Sequence, residues 1–247
     1  MKTANKTSEF YRRLGQPAGD FSLKRRQQDV LFDKKWLRFL ELARFFGYLP
    51  FIDFVFGAGS MALGNVHQDS DFDVIVGAKS GRIFTARFFC VLMFGLLGRR
   101  RQKLSHKEAA SDNICFNHFV TPESYCLRPP HNIYWQELYR NLVPIYGREE
   151  KIGEFFKANG WIGERNYSDD LRHKFHKPGF AGLFLEKILG GGFGDFIERF
   201  LKYVQVQRIK KSLKDSMGFE PRLVFNDKEL EFHPDTLRIH KLVSNEK

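Results

Sequence analysis

The sequence predicts a mixed α/β fold, in which a small mixed sheet is flanked by helices and followed by a mainly helical C-terminal region. Three short runs rich in β-branched and aromatic residues alternate with segments of helical periodicity; these runs are 51–56, 71–76 and 113–120. After Pro129-Pro130 the apolar spacing becomes mainly helical. We therefore divide the chain into a polar extension (1–30), an α/β domain (31–130) and a helical region (131–247).

The α/β domain begins with an amphipathic helix. Apolar residues fall at i, i+3, i+4 and i+7 within residues 34–46, which places them on one helix face. Gly47 ends this helix and Pro50 prevents its continuation. A short strand over 51–56 then leads into a glycine turn, and a single helical turn over 61–64 follows.

The remaining elements are predicted by the same rules of spacing. The strand at 71–76 is followed by a mostly buried helix over 82–97 and by the strand at 113–120. Beyond residue 130, helical spacing covers 135–146 and 193–214. The final strands, 222–225 and 229–232, form a pair across Asn226-Asp227.

The composition is basic and globular. Lys and Arg number 40 against 29 Asp and Glu, a net charge of +11 that favours polyanionic partners such as nucleoside triphosphates, nucleic acid or an acidic membrane surface. Three cysteines without metal-binding spacing argue against a disulfide framework.

The longest near-apolar segment, 88–98, is too short to span a bilayer, which needs about 20 residues. The N-terminus lacks the apolar block of a signal peptide. We therefore expect a cytoplasmic protein without stable membrane insertion.

The most informative segment is 57–76, where the turn Gly59-Ser60 precedes Asp71-Phe72-Asp73 at the start of a strand. Residues i and i+2 of a strand share a face, so Asp71 and Asp73 point the same way, about 7 Å apart along the backbone. Two carboxylates this close repel each other unless a cation lies between them, and their oxygens suit Mg²⁺ or Mn²⁺. Backbone N–H groups of the Gly-Ser turn are suited to hold phosphates.

These residues resemble the signature of the polymerase-beta-type nucleotidyltransferases, especially the small minimal members. The resemblance rests on Gly59-Ser60, Ala62, Gly64 and Ser70-Asp71-x-Asp73, followed by Val74-Ile75-Val76. It is specific over about twenty residues and extends as an order of elements over 34–120. It implies an enzyme that transfers a nucleoside monophosphate from a nucleoside triphosphate to a hydroxyl group. Gly59 and Ser60 would bind the nucleotide, and Asp71 and Asp73 would bind Mg²⁺ or Mn²⁺.

Active members of that family often carry a third acid on the following strand, which completes the metal site or accepts the proton of the attacking hydroxyl. Asp112 is the only carboxylate of the third predicted strand and is therefore the candidate base. Asn117 lies deeper in that strand, where an acid would be expected, and an amide cannot act as a base near neutral pH. The sequence leaves open which of the two residues holds the third position.

Two other functions are compatible with the sequence. If the third acid is lost, the chain is a non-catalytic nucleotide- or RNA-binding module, or a partner subunit with a degenerate site. The segment Arg99–Lys107 holds five basic residues and no acid, which predicts an exposed and mobile segment able to dock on nucleic acid or membrane. The acceptor is not identified by the sequence, and RNA and protein hydroxyls are both candidates.

Overall fold

The structure is a computed structural model that describes residues 22–101, 111–129, 131–163, 176–214 and 222–233. Within these ranges the chain forms seven helices and one six-stranded mixed sheet, which confirms the predicted α/β class. Of the predicted N-terminal extension (1–30), residues 1–21 lie outside the described residues. The remainder, from Ser22, belongs to the first helix.

The helices follow in chain order as α1 (Ser22–Ala43), α2 (Gly59–Leu63), α3 (Ile83–Leu96), α4 (Ile133–Arg140), α5 (Glu149–Ala158), α6 (Phe180–Ile188) and α7 (Gly191–Lys214). The strands are β1 (Ile52–Gly57), β2 (Phe72–Ala78), β3 (Ile114–Val120), β4 (Val143–Gly147), β5 (Arg222–Phe225) and β6 (Glu229–His233). Short 3₁₀ helices occupy Arg44–Tyr48, Pro122–Ser124 and Gly160–Ile162. The predicted strands at 51–56, 71–76 and 113–120 and the predicted C-terminal strand pair are confirmed.

The strand order of the sheet is β4-β1-β2-β3-β6-β5. Only β2 and β3 run parallel, and the other neighbouring pairs are antiparallel. A parallel pair requires a crossover connection, which here contains α3. In this register Phe72 pairs with Ile114 and Asp73 with Cys115, so the N-terminal ends of β2 and β3 lie side by side.

The mainly helical region after residue 130 also contributes three strands to the same sheet. β4 pairs with β1, and β6 joins β3 to β5. The boundary predicted near residue 130 therefore divides a single sheet. The helix predicted over 135–146 ends at Arg140, because Pro144 cannot donate an intrahelical hydrogen bond and is tolerated on an edge strand such as β4.

Two cores rich in aromatic residues cover the two faces of the sheet. α1, α3 and α7 pack on one face against Phe72, Val74 and Val76 of β2. α4 and α5 pack on the opposite face, where Ile75 belongs to the second core. Because successive residues of a strand alternate between faces, Asp73 lies on the same face as Ile75. Asp73 is not fully buried, so the second core leaves this end of β2 accessible.

Candidate metal and nucleotide site

Asp71 and Asp73 lie together at the N-terminal end of β2. One oxygen of each carboxylate and the Sγ atom of Cys115 all lie within 4.8 Å of one another, and both acids are half-buried. Cys115 joins them because it is the register partner of Asp73 across the parallel strand pair. The structure thus brings the two predicted metal ligands to one point, as the alternation of side chains along a strand predicts.

Gly59 packs directly against the Asp73 side chain. The φ angle of Gly59 is +60°, and a Cβ atom built on it would lie 2.9 Å from Cγ of Asp73, which is closer than real Cβ contacts come. The neighbouring Ala58 N–H also donates to the carbonyl oxygen of Asp73, at 2.9 Å. Both the backbone conformation and the contact therefore require glycine at position 59.

Ser60 follows Gly59 in the first turn of α2. The first N–H groups of a helix have no carbonyl partner within the helix, so the backbone N–H groups of Gly59 and Ser60 point out of its start. The carbonyl of Ser60 accepts a hydrogen bond from Asn65 N–H at 2.9 Å, which holds the chain that returns from α2 towards β2. The turn and the two acids consequently share one edge of the sheet.

The residues of β3 that lie beside these acids are not carboxylates. Nδ2 of Asn117 donates to Oδ1 of Asp73 at 3.1 Å. Burial raises the pKa of the Cys115 thiol well above its usual value, and the charges of Asp73 and Asp71 raise it further. The thiol therefore remains protonated at neutral pH. Neither side chain is a base near neutral pH. Of the two residues that the sequence leaves open for the third position, Asn117 is the one that is hydrogen-bonded to Asp73.

Asp112, the predicted base, is not a member of the cluster that Asp71, Asp73 and Cys115 form. Its backbone has a φ of +59° just before β3, and its Oδ1 accepts from Nζ of Lys35 at 2.9 Å. The same ammonium donates to the carbonyl of Ser70 at 2.8 Å. Asp112 thus joins α1 to the segment in front of β2 through a structural ion pair. Its partner lies 77 residues away, and local sequence does not reveal such a pairing.

Arg101 is the functional candidate that sequence reasoning missed. Its Nη1 lies 2.5 Å from Oδ2 of Asp71, and the two side chains are only 13% and 14% exposed. The Arg101 N–H donates to the carbonyl of Ile114, and the Ile114 N–H donates to Arg99, so this part of the chain is bonded to the start of β3. The prediction of an exposed and mobile segment is therefore wrong for residues 99–101. Residues 102–107 of that segment lie outside the described residues.

The surroundings of Arg101 keep its guanidinium protonated. Burial lowers the pKa of its guanidinium, but the charge of Asp71, with contributions from Cys115 and Asp73, outweighs that effect and leaves the pKa above its usual value. The guanidinium is therefore a permanent cation beside the two acids. A guanidinium is also a forked donor that matches phosphate oxygens.

A second group of metal-ligating side chains comprises His118, Glu229 and Glu231, which are fully buried on the pair β3 and β6. Nε2 of His118 lies 3.2 Å from one oxygen of Glu229, and Nε of Arg128 lies 2.9 Å from the other. Both oxygens of Glu229 thus have cationic or hydrogen-bonding partners. We interpret this group as a buried ion-pair network that fastens β6 to β3.

No helix among the residues that the structure describes combines the length and the apolar character needed to cross a membrane. Comparisons of the chain with protein-family models, with curated proteins and with solved structures found no match.

Proposed function

We propose that this protein binds a nucleoside triphosphate through a divalent cation held by Asp71 and Asp73, and transfers the nucleoside monophosphate to a hydroxyl acceptor. The close fit of Gly59 against Asp73 supports this proposal best, because it places a turn with outward backbone N–H groups beside two half-buried carboxylates. The resemblance of residues 57–76 to the polymerase-beta-type nucleotidyltransferases supports the same function. A cytoplasmic location, with its supply of nucleotides, belongs to the proposal.

The donor atoms fit Mg²⁺ or Mn²⁺. The carboxylates of Asp71 and Asp73 offer hard oxygen ligands close enough to share one ion. Cys115 would contribute little, because a protonated thiol is a poor ligand for a hard cation. A bound cation would neutralise phosphate charge and orient the triphosphate for in-line attack.

Arg101 is expected to exchange partners when the site binds its ligands. A cation at Asp71 would compete with the guanidinium for the same carboxylate oxygen. The displaced guanidinium would remain beside the site, because its backbone is bonded to Ile114. Arg101 would then donate to phosphate oxygens, while Gly59 and Ser60 hold the phosphates through their backbone N–H groups.

Nucleotide binding without transfer is a second candidate function, and the residues of β3 favour it. A hydroxyl that attacks phosphorus is activated by a base, and the Asn117 amide next to Asp73 is unable to accept a proton. The carboxylate of Asp112 is bonded to Lys35 instead. On this alternative, the domain binds a metal–nucleotide complex as a sensor or as a partner subunit.

The deciding experiment combines binding with transfer. The purified protein would be incubated with each nucleoside triphosphate labelled at the α-phosphate, with Mg²⁺ or Mn²⁺ and with cell extract. Incorporated label, released pyrophosphate and equilibrium nucleotide binding would then be measured. Metal-dependent transfer that is lost in Asp73→Asn supports the first function, and metal-dependent binding without pyrophosphate release supports the second.

The matched control is Asp69→Asn, because Asp69 is an exposed acid two residues before Asp71 and lies outside the cluster of ligands. This variant should keep full binding and transfer. Absence of any metal-dependent nucleotide binding by the wild-type protein would contradict both candidate functions.

A further inference from the structure

α6 and α7 present a row of exposed aromatic side chains on the surface of the protein. Their exposed fractions range from 54% to 84%, and the residues are Phe180, Phe184, Phe193, Phe196, Phe200 and Tyr203. The four members on α7 are spaced by three, four and three residues, which places them on one side of the helix. Single exposed apolar residues are ordinary, but six exposed aromatic residues on two consecutive helices mark an interaction surface.

The opposite side of α7 is used to hold the fold together. Leu201 is buried in the first core, and Ile197, Val206 and Ile209 pack against that core. The aromatic row is therefore not the side by which α7 is attached. We call the exposed aromatic residues of α6 and α7 the aromatic face.

The acidic residues of these two helices are committed to contacts with the rest of the fold. Glu186 accepts hydrogen bonds from the Phe51 N–H and from Nζ of Lys79. Glu198 accepts from two N–H groups in the first turn of α3. Asp195 pairs with Arg82 at 2.6 Å. These three residues are all the acids that the sequence places in α6 and α7.

The basic residues of the same helices remain largely on the surface. The exposed cations are Lys187, Arg199, Arg208, Lys210 and Lys211. Because Glu186 and Asp195 are paired with cations and Glu198 is bonded to α3, the surface of α6 and α7 combines phenyl rings with an excess of positive charge. Adjacent α3, which is bonded to α7 through Gln205, adds the exposed apolar residues Leu92 and Leu96.

We propose that α6 and α7 form a docking surface for membranes that contain anionic lipids. Aromatic rings would enter the boundary between headgroups and acyl chains, and the surrounding cations would contact anionic headgroups. Charge complementarity favours this partner over a second copy of the chain, because two surfaces with the same positive charge repel each other. The aliphatic residues Leu183 and Ile188 are also exposed on α6, and they suit lipid better than nucleic-acid bases. This inference does not depend on the proposed nucleotide site.

The test uses the whole 247-residue chain and its sedimentation with lipid vesicles. We expect binding to vesicles of phosphatidylcholine with phosphatidylglycerol, weak binding to phosphatidylcholine alone, and a loss of binding as salt is raised. Phe196→Ser combined with Phe200→Ser should lower the affinity by about tenfold or more, because both rings would enter the bilayer boundary. Lys210→Ser combined with Lys211→Ser should reduce binding to the anionic vesicles selectively.

Leu37→Ser is the matched control, because Leu37 is an apolar residue of α1 that is 65% exposed and lies outside the aromatic face. It should bind vesicles like the wild type. All these side chains are exposed, so unchanged thermal unfolding of each variant would verify that the fold is intact. Equal vesicle binding by the Phe196→Ser/Phe200→Ser variant would overturn the proposal. So would preferential binding of single-stranded RNA through the same residues, or a dimer that this variant dissociates.

Discussion

Two clusters of metal-ligating side chains lie on neighbouring strand pairs, and they differ in access and in charge compensation. Asp71 and Asp73 lie half-buried at the N-terminal end of β2, where the cation of Arg101 is bonded to Asp71. Glu229 is buried between His118 and Arg128, each bonded to a different oxygen of its carboxylate. The comparison teaches that ligand chemistry alone does not define a site. An acid cluster becomes a candidate for binding when a ligand is able to reach it and exchange with the cation present.

The largest expected effect separates the two clusters by metal binding. Asp71→Asn combined with Asp73→Asn should lower Mn²⁺ affinity by about 100-fold or more, because the hard anionic ligands are lost. His118→Asn should leave Mn²⁺ affinity of the folded protein unchanged. Electron paramagnetic resonance of free and bound Mn²⁺ would measure both. A loss of affinity in His118→Asn, with none in the Asp71→Asn/Asp73→Asn variant, would show that the buried network, rather than β2, holds the ion.

The free energy of unfolding should be sensitive to the buried network of Glu229. Glu229→Ala leaves the buried His118 without its carboxylate partner and also removes the ion pair with the half-exposed Arg128. We expect a loss of about 3 kcal/mol in the free energy of unfolding. Urea denaturation would measure it. Glu150→Ala, an exposed acid of α5, should change stability by less than about 0.5 kcal/mol. A similarly small change for Glu229→Ala would mean that the network does not fasten β6 to β3.

The contact between the turn and the acids is tested at Gly59. Gly59→Ala forces a left-handed residue with a Cβ atom against Asp73, so we expect a loss of about 1–2 kcal/mol in stability and roughly tenfold weaker metal-dependent nucleotide binding. Gly95→Ala in α3 is the control, because a Cβ atom there meets nothing within 4 Å. Nucleotide titration and thermal unfolding check both variants, and unaltered nucleotide binding by Gly59→Ala would argue against the turn as a phosphate site.

A smaller effect is expected from a third carboxylate. Asn117→Asp places an acid beside Asp73, which should raise Mn²⁺ affinity several-fold and increase any pyrophosphate release. Asn117→Ala removes the amide without adding a carboxylate and should do neither. If Asn117→Asp gained affinity but no transfer, nucleotide binding without chemistry would become the favoured function.

The smallest effect is expected at Asp112. Asp112→Asn keeps an oxygen that accepts from Lys35, so transfer and nucleotide binding should stay within about twofold and stability should fall by about 1 kcal/mol. Steady-state assays and urea denaturation measure these quantities. A loss of transfer in a folded Asp112→Asn protein would restore this residue to the role of base.

Local sequence predicted the part of the site that short-range geometry determines. Asp71 and Asp73 share a face because side chains alternate along a strand. Gly59 lies 12 residues before Asp71, at the start of α2 between β1 and β2. The choice between Asp112 and Asn117 depended on the register of two parallel strands separated by a long crossover, which spacing does not determine. Arg101 was missed for the same reason, because its contact with Asp71 follows from its bonds to β3.

The fold shows a similar limit. Helices and strands with strong periodicity were predicted within a few residues, as for α3 and the pair β5 and β6. The apolar spacing of residues 143–147 matches a helix, whereas Pro144 and the pairing with β1 make this segment the strand β4. The C-terminal half contributes three strands to the sheet. Two of them, β4 and β6, pair with strands that are far away along the chain, and local spacing does not reveal such pairings.

The parallel pairing of β2 and β3 has a consequence for how the protein folds. β1, α2 and β2 form a contiguous unit that brings Gly59 to Asp73, whereas Asn117 is 44 residues from Asp73 and joins only when the crossover closes. Closing a long loop costs chain entropy before its contacts are gained, so nonlocal pairings form slowly. During refolding from denaturant we therefore expect the turn and its carboxylates to meet first and the β3 side of the site to be completed later.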